Sequence, residues 1–316
     1  MREHRPPTML ITGAAGMLGS ALVPAASAAG YRVVATDIQP GMPRLDVRDG
    51  AAVEEAVEDI GPDVLVHLAA LTDLEQCERD PAAAMLTNAA GTAHVARAAA
   101  SREIPLAYIS TAGVFDGHNA NGYHETDPVN PINTYGASKY AGEEAIRRYC
   151  ARAAIVRAGW MMGGGQRDHK FVGAVLAQIR AGAPVIHAVT DRTGTPTYTR
   201  DFAAALLGLA AVGWDGLFHL AGHGAACRYD VAAHLLHALG VNDRIRLEPV
   251  ASSFFTARYP VTRPVCEVLH NTAAARLGLD RMRGWQQALT AYLHTDFPAD
   301  LPATGTGRLA TMGQPR

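Results

Sequence analysis

A tyrosine and a lysine four residues apart, Tyr135 and Lys139, are the side chains of this sequence best suited to chemistry. Only two of its 28 lysines and arginines are lysines, so a lysine here needs a reason. Lysine offers a compact ammonium on a flexible stem, which can fit beneath a ring or a ribose. Because residues four apart share a helix face, this ammonium is expected beside the phenol. The alternative is an ordinary exposed helix pair.

A glycine-rich turn lies far upstream of this pair. Gly13, Gly16 and Gly19 follow an apolar run and open an amphipathic stretch. Glycines at such places let backbone N–H groups at a helix N-terminus approach a pyrophosphate, and they allow close contact between strand and helix. The spacing is G-x-x-G-x-x-G, not the commoner G-x-G-x-x-G. Its position between a strand and a helix nevertheless favours a dinucleotide site.

An aspartate, Asp37, ends the second apolar run. A carboxylate at this place accepts hydrogen bonds from the adenosine ribose and repels a 2′-phosphate, which favours NAD over NADP. Asp37 could instead be a turn residue at the end of a strand. Arg44 is nearby in the sequence and could in principle meet a phosphate.

These residues need a scaffold, and the rest of the chain indicates which one. Short apolar runs alternate with longer amphipathic stretches, as in β-α-β units. The pattern predicts strands at 9–12, 32–36, 64–67, 106–110, 155–157 and 217–220, and helices at 18–29, 51–59, 82–102, 135–152, 171–180, 229–239 and 284–293. We therefore expect an α/β fold, a Rossmann-type doubly wound parallel sheet with a smaller mixed C-terminal substrate lobe.

The same pattern divides the chain into domains. An NAD-binding Rossmann domain is expected at 8–160, with a return segment near 198–223. The substrate-binding lobe would comprise 161–197 and 224–298, where glycines and prolines are frequent. A flexible tail rich in Gly, Pro and Thr is expected at 299–316.

Composition excludes several classes of protein. The 316 residues are 48% hydrophobic and 18% charged, which suits a soluble protein with a sizeable core. A formal charge of −2 indicates neither a nucleic-acid nor a membrane surface, so we expect a cytoplasmic protein. The four cysteines and 13 histidines lack metal-ligand spacing, so no metal site is expected. Glu143 and Glu144 read as a solvated helix face.

Several motifs together resemble the extended short-chain dehydrogenase/reductase family, and within it the dTDP-4-dehydrorhamnose reductase branch. The resemblance runs from about residue 8 to residue 293. Besides the glycine turn and Asp37, the matching stretches are Ala69-Ala70-Leu71-Thr72-Asp73, Tyr108-Ile109-Ser110-Thr111, Val114-Phe115-Asp116-Gly117, Tyr135-Gly136-Ala137-Ser138-Lys139 and Gly194-Thr195-Pro196-Thr197.

The resemblance implies a catalytic trio of Thr111, Tyr135 and Lys139. Thr111 would bind the substrate oxygen, and Tyr135 would transfer a proton. We expect the Lys139 ammonium and a positively charged nicotinamide to lower the pKa of Tyr135, and Lys139 to bind the nicotinamide ribose as well. The implied cofactor-binding residues are Gly13, Gly16, Met17, Leu18, Asp37, Asp46, Val47, Leu68, Ala69, Ala70, Tyr135 and Lys139.

The implied substrate-binding residues are Thr111, Trp160 and Lys170. Trp160 resembles a tryptophan placed over the sugar, although it could simply anchor its loop. Lys170 could face a nucleotide diphosphate or be a plain surface lysine, and Leu68 could be a core residue. The resemblance also implies a nucleotide-sugar substrate and a homodimer.

The implied activity is an NAD(H)-dependent reductase of a 4-keto (deoxy)sugar nucleotide, with Tyr135 as general acid. The alternatives are an NAD-dependent sugar-nucleotide epimerase and a non-catalytic cofactor-binding regulatory subunit. Two departures matter. Ala112-Gly113 replaces the usual Asp-Tyr, which also disfavours dehydratase chemistry, and Asp168-His169-Lys170-Phe171 lacks the usual Asn before Phe.

Overall fold

The fold was obtained as a computed structural model, which describes residues 5–301. Most of the expected flexible tail, from residue 302 onward, lies outside this range. Its first residues belong to the short 3-10 helix Pro298–Asp300, where Asp300 forms an ion pair with Arg180 at 2.6 Å. The expectation of a flexible segment at 299–316 stays a prediction.

The strands are β1 Thr8–Thr12, β2 Arg32–Thr36, β3 Val64–His67, β4 Leu106–Thr111, β5 Ala153–Ala158, β6 Trp160–Met162, β7 Val185–Val189, β8 Thr193–Gly194, β9 Pro196–Tyr198, β10 Gly216–Leu220, β11 Ala226–Cys227, β12 Arg246–Val250 and β13 Cys266–Glu267. The α-helices are α1 Met17–Ala28, α2 Gly50–Ile60, α3 Leu74–Arg79, α4 Pro81–Met85, α5 Gly91–Ala100, α6 Thr134–Tyr149, α7 Phe171–Arg180, α8 Thr199–Gly208, α9 Arg228–Ala238, α10 Thr272–Arg276 and α11 Trp285–Asp296.

Six strands form one sheet in the order β10-β5-β4-β3-β1-β2, and every neighbouring pair is parallel. Helices α1 and α8 cover one face, while α2, α5 and α6 cover the other. Since both faces are covered, the central strands are rich in apolar residues, and all five residues of β1 are buried. The predicted doubly wound α/β fold is confirmed.

The direction of winding changes between β1 and β3, which are neighbours in the sheet. Ligands of such folds bind in the crevice beyond the carboxyl ends of the strands at this switch point.

Side chains that cap the helix N-termini fix where two of the neighbouring helices begin. The Asp49 side chain accepts hydrogen bonds from the first backbone N–H groups of α2, and Asn133 accepts one from Gly136 of α6.

A second group of elements lies beyond β5 in the sequence. The parallel pair β7 and β12 packs with α7, α9 and α11 around its own hydrophobic core. Two-residue strands form a small mixed sheet in the order β11-β8-β13, and β6 pairs with β9. We retain the division at 160, 198–223 and 298 as a proposal.

Among residues 5–301, no helix is both long and apolar enough to cross a membrane. Within the same range, no three His, Cys, Asp or Glu side chains come together in an arrangement that could bind a metal ion.

Candidate active site

The glycine-rich turn packs directly against the loop that follows β3. Gly13 has a φ of +72°, and a Cβ atom there would lie 2.4 Å from the backbone nitrogen of Ala69. A Cβ atom at Gly19, in α1, would lie 2.2 Å from the carbonyl oxygen of Ala14. Neither position can accept a side chain without moving backbone, so the turn brings the start of α1 close to the switch point.

The predicted cofactor residues Gly16, Met17 and Leu18 form the entry to α1. Gly16 is the extended residue immediately before the helix, and Met17 and Leu18 begin its first turn. The Leu18 side chain is buried in the core beneath the sheet, so only its backbone is available to a ligand at this turn. Backbone N–H groups at a helix N-terminus suit a phosphate.

Asp37 follows β2 and is buried beside the same turn. Its Oδ2 accepts a hydrogen bond from the backbone N–H of Ala15, and its Oδ1 accepts one from Gln39, each at 2.9 Å. A carboxylate can accept about four hydrogen bonds, so capacity remains for ribose hydroxyls. Arg44 pairs with Asp37 through an isolated β-bridge, and its guanidinium donates to the carbonyl oxygen of Ile38. Sequence reasoning did not detect that Asp37 also stabilises the turn.

Asp46 and Val47 are turned toward the protein itself. Asp46 forms a 2.6 Å ion pair with Arg48, whose hydrogen bond lowers the pKa of that carboxyl group. The side chain of Val47 is buried in the core, and its carbonyl oxygen lies 3.0 Å from Nδ1 of His94. Any contact of Val47 with an adenine would therefore involve its backbone.

Leu68, Ala69 and Ala70 lie at the carboxyl end of β3, where Gly13 leaves room. The Leu68 side chain packs against the core beneath α1, and its N–H donates to the carbonyl oxygen of Thr12 at 3.0 Å. Ala69 and Ala70 are partly exposed. The structure thus brings all three beside the turn, with Leu68 contributing to packing.

Thr111, Tyr135 and Lys139 come together where β4 ends and α6 begins. A Cβ atom at Gly136 would lie 2.1 Å from the carbonyl oxygen of Gly113, so α6 starts in direct contact with the turn after β4. The Thr111 hydroxyl accepts a hydrogen bond from the Gly113 N–H at 3.1 Å. Small residues after Thr111 permit this approach.

Lys139 is almost completely buried. Only 3% of it is exposed, and its Nζ lies 4.2 Å from the centre of the Tyr108 ring. Burial lowers the pKa of Lys139 to about 7, although the Glu143 carboxylate opposes the fall. The exposed helix pair considered from the sequence is therefore wrong, because α6 presents this face to the sheet.

Burial raises the pKa of Tyr135 to about 12, and its interaction with the Thr111 hydroxyl opposes the rise. Desolvation of the phenolate is the largest cause of this rise, and the expected lowering by Lys139 together with a positively charged nicotinamide stays a prediction for the cofactor-bound protein. A raised pKa keeps the phenol protonated at neutral pH. Tyr135 is therefore in the form required of a proton donor.

Glu143, one turn beyond Lys139, corrects a second expectation. It is fully buried, not part of a solvated face, and both its oxygens are bound by neighbours. Arg157 donates from Nε and Nη2 at 2.9 and 2.8 Å, Ser110 donates at 2.6 Å, and Arg147 donates at 2.8 Å. These partners hold the pKa of Glu143 below its ordinary value. Its four-residue spacing from Lys139 was the available signal.

Asn88 is a buried residue that sequence reasoning missed. It lies in a π-helical turn, Leu86–Ala90, between α4 and α5. The side-chain oxygen of Asn88 accepts a hydrogen bond from the Leu71 N–H at 2.8 Å, and its NH2 group donates to the Leu71 carbonyl oxygen at 2.9 Å. The same NH2 group also donates to the Ser138 hydroxyl. Asn88 therefore joins the loop after β3 to α6, beside Lys139. Turns of this type are frequent at functional sites.

Two of the three expected substrate residues, Trp160 and Lys170, lie on the second group of elements. The Trp160 indole N–H donates to Oε2 of Glu267 at 2.8 Å. Lys170 donates from Nζ to the carbonyl and hydroxyl oxygens of Thr72, at 3.2 and 3.3 Å. Lys170 therefore bridges the second group of elements and the loop after β3. Its contact with a diphosphate stays a prediction.

The chain is similar to known proteins over most of its length. The chain matches the family described as RmlD substrate binding domain over residues 7–297. A dTDP-4-dehydrorhamnose reductase from Streptomyces griseus is 35% identical over 305 residues, 95% of this chain and 96% of that protein.

Two solved structures are also similar. One is a dTDP-4-dehydrorhamnose reductase from Clostridium acetobutylicum, with a TM-score of 0.84, 30% identity and coverage of 91% and 98% of the two chains. The other is a dTDP-4-dehydrorhamnose reductase from Bacillus anthracis in complex with NADP, with a TM-score of 0.85, 28% identity and coverage of 92% and 99%.

The parallel sheet, the glycine turn and the family match define the class: an NAD(P)-dependent oxidoreductase of the extended short-chain dehydrogenase/reductase type. Within this class, the chain belongs to the RmlD substrate-binding domain family.

Proposed function

We propose that this chain is an NAD(H)-dependent reductase of a 4-keto deoxysugar nucleotide. The observation that carries the proposal is the meeting of Thr111 and Tyr135 at the carboxyl edge of the sheet, with Lys139 one turn along the same helix and over the Tyr108 ring of β4. It is supported by family relatives named dTDP-4-dehydrorhamnose reductase. A thymidine diphosphate on the substrate is the corresponding expectation for this chain.

The crevice fits a dinucleotide. The contact of Gly13 with Ala69 leaves no room for a side chain where a pyrophosphate would approach, and Asp37 retains acceptor capacity for a ribose. When bound, the reduced cofactor supplies a hydride to the substrate carbonyl carbon. Asp37 favours NADH, whereas a relative was crystallised with NADP, so we propose NADH as the preferred and not the exclusive donor.

Each of the three residues has a distinct task in this proposal. Thr111 donates a hydrogen bond to the substrate carbonyl oxygen and so places it against the phenol. Tyr135 donates its proton as the carbonyl oxygen becomes an alkoxide, which is a stronger base than a phenolate with a conjugate pKa of about 12. Lys139 binds the nicotinamide ribose and stabilises the phenolate that remains.

The test is a Tyr135→Phe variant assayed with a 4-keto-6-deoxysugar nucleotide. We expect turnover to fall ~10²-fold or more, with NADH affinity largely unchanged, because the aromatic ring remains and only the transferred proton is lost. Tyr140→Phe, one residue beyond Lys139 on the same helix, is the control and should retain activity. Loss of NADH affinity with retained turnover would contradict the role of Tyr135.

The stoichiometry of NADH distinguishes the three activities considered from the sequence. A reductase consumes one NADH for each product, whereas an epimerase isomerises the sugar without net consumption. A regulatory subunit would show neither reaction and would be unaffected by Tyr135→Phe. Homodimerisation and a cytoplasmic location also remain predictions.

A further inference from the structure

Trp160 lies flat against the backbone of the small sheet. A Cβ atom at Gly194 would lie 2.3 Å from Cε2 of the indole and within 2.7 Å of two further ring atoms. The ring therefore covers the Cα atom of Gly194 in van der Waals contact. Only a residue without a side chain can occupy the strand position beneath this ring.

Arg228 covers the opposite face of the same indole. Its guanidinium carbon lies 3.6 Å from the centre of the Trp160 ring and 5.1 Å from that of Phe171. Since Gly194 already occupies one face of the indole, the guanidinium must lie on the other. We call this arrangement of Phe171, Arg228, Trp160 and Gly194 the Trp160 stack.

Glu267 fixes the remaining polar atom of the ring. Its carboxylate accepts the indole N–H at 2.8 Å, and burial raises the pKa of this carboxyl group. Strand pairing sets these positions, because Gly194 lies opposite Glu267 on one side and opposite Ala226, two residues before Arg228, on the other. Three short strands thus deliver the two charged side chains to one indole.

The Trp160 stack lies close to the catalytic trio, because Trp160 comes two residues after Ala158, which lies opposite Thr111 in the pairing of β4 with β5. The charge of Glu267 also helps to raise the pKa of Tyr135. Since both faces and the N–H of Trp160 are occupied, a sugar can reach only the edge of the ring. The sequence-based expectation of a tryptophan lying over the sugar requires an open face, which this structure does not provide.

We propose that Arg228 and Glu267 are positioning residues that fix the orientation of Trp160, so that the edge of the indole borders the bound sugar. The proposal rests on the proposed function, because it assigns Trp160 to substrate binding in that reaction. A planar guanidinium covers an aromatic face better than an ammonium does, and a fixed ring binds substrate with a smaller loss of side-chain entropy.

The experiment compares Glu267→Leu and Arg228→Lys with the conservative variant Glu267→Gln. Leucine removes the acceptor of the indole N–H, and lysine removes the planar stacking group. Glutamine keeps an acceptor oxygen, so it should restore wild-type behaviour to within about 2-fold. For the first two variants we expect KM for the sugar nucleotide to rise about 5- to 20-fold, with kcat changed far less and NADH affinity unchanged.

A second measurement does not depend on turnover. Acrylamide quenching of tryptophan fluorescence reports mainly on Trp160, because Trp214 and Trp285 are only 5% and 6% exposed, and a Trp160→Phe variant gives the background. Quenching of Trp160 should increase in Glu267→Leu and Arg228→Lys but not in Glu267→Gln.

Unchanged quenching in Glu267→Leu and Arg228→Lys would overturn the proposal. Increased quenching with an unchanged KM would also overturn it, since the orientation of Trp160 would then not matter to the sugar. If the wild-type protein reduces no 4-keto sugar nucleotide, the proposed function fails. The affinity of the same variants for a thymidine diphosphate-linked hexose, relative to their affinity for thymidine diphosphate alone, would then replace KM as the readout.

Discussion

Replacing Lys139 by methionine should make the cofactor-free protein more stable while abolishing its function. The ammonium is 3% exposed and lies over the Tyr108 ring, and burial lowers its pKa to about 7. Methionine keeps an unbranched side chain of similar length without the charge. The protein therefore incurs an energetic cost at this position, which contacts with a bound cofactor would offset.

The size of this cost follows from the pKa. A fall from the ordinary value of 10.5 to about 7 corresponds to roughly 4–5 kcal/mol against burying the ammonium at neutral pH. We therefore expect Lys139→Met to raise the free energy of unfolding by about 4 kcal/mol at pH 7.

The dependence on pH has a definite sign. Between about pH 7 and pH 10.5 the unfolded chain holds a proton on Lys139 that the folded protein has released, so wild-type stability rises with pH. The cost is complete below about pH 7 and is lost as the pH approaches 10.5. The advantage of Lys139→Met should therefore shrink by about 1.4 kcal/mol for each pH unit above 7.

Urea unfolding of the cofactor-free protein, followed by circular dichroism at about pH 6.5 and about pH 9, measures both effects. Lys170→Met is the comparison, since Lys170 is the chain's other lysine; burial lowers its pKa too, but its residue is exposed and its ammonium donates to two oxygens of Thr72. Its effect should stay below about 1 kcal/mol. If Lys139→Met lowers the urea midpoint, or if its advantage does not vary with pH, the ammonium is not destabilising and the reasoning fails.

Three further substitutions test the supports of the site. Asp37→Asn keeps an acceptor for the Ala15 N–H but removes the charge, so the preference for NADH over NADPH should fall about 10-fold in kcat/KM. An unchanged ratio would show that Asp37 does not determine which cofactor is preferred. Gly13→Ala should weaken NADH binding more than 10-fold in a fluorescence titration, whereas Gly30→Ala, at another positive φ but with no neighbour within 4 Å, should leave it intact. Glu143→Gln should lower the free energy of unfolding by about 3 kcal/mol, because the buried Arg157 loses its counter-charge. The control Glu144→Gln, at an exposed residue, should lower it by less than about 0.5 kcal/mol. Equal effects of the two variants would mean that the Glu143–Arg157 ion pair does not contribute to stability.

The features that could be predicted from sequence are those whose causes are local. Strand β3 was predicted with the observed bounds because a central parallel strand is buried on both faces and reads as one apolar run. Helix α7 was predicted with the observed bounds from its amphipathic period. The glycine turn could be recognised because tight backbone contacts require glycine whatever the rest of the fold is.

The features that were missed depend on partners distant in the sequence. Two adjacent acidic residues on a helix indicate a solvent-exposed face. The burial of Glu143 could be inferred only from its ion pair with Arg157, which lies on strand β5. Strands β8, β11 and β13 have two residues each, which is too short for any hydrophobic period, so the meeting of Trp160, Arg228 and Glu267 had no sequence signal. The pKa of Tyr135 required its burial to be known.

Helix α6 treats its buried charges in two ways. Tyr135, Lys139 and Glu143 follow one another at four-residue spacing, so they form a stripe from the crevice toward the core. At the inner end, the oxygens of Glu143 are bound by Ser110, Arg147 and Arg157, and this carboxylate is neutralised within the protein. One turn nearer the crevice, the Lys139 ammonium faces an aromatic ring, and burial reduces its affinity for protons. Because Glu143 is already neutralised by arginine, the charge of Lys139 remains available to a ligand. The stability lost by burying the Lys139 ammonium is the expected consequence of placing this ammonium where cofactor and substrate meet.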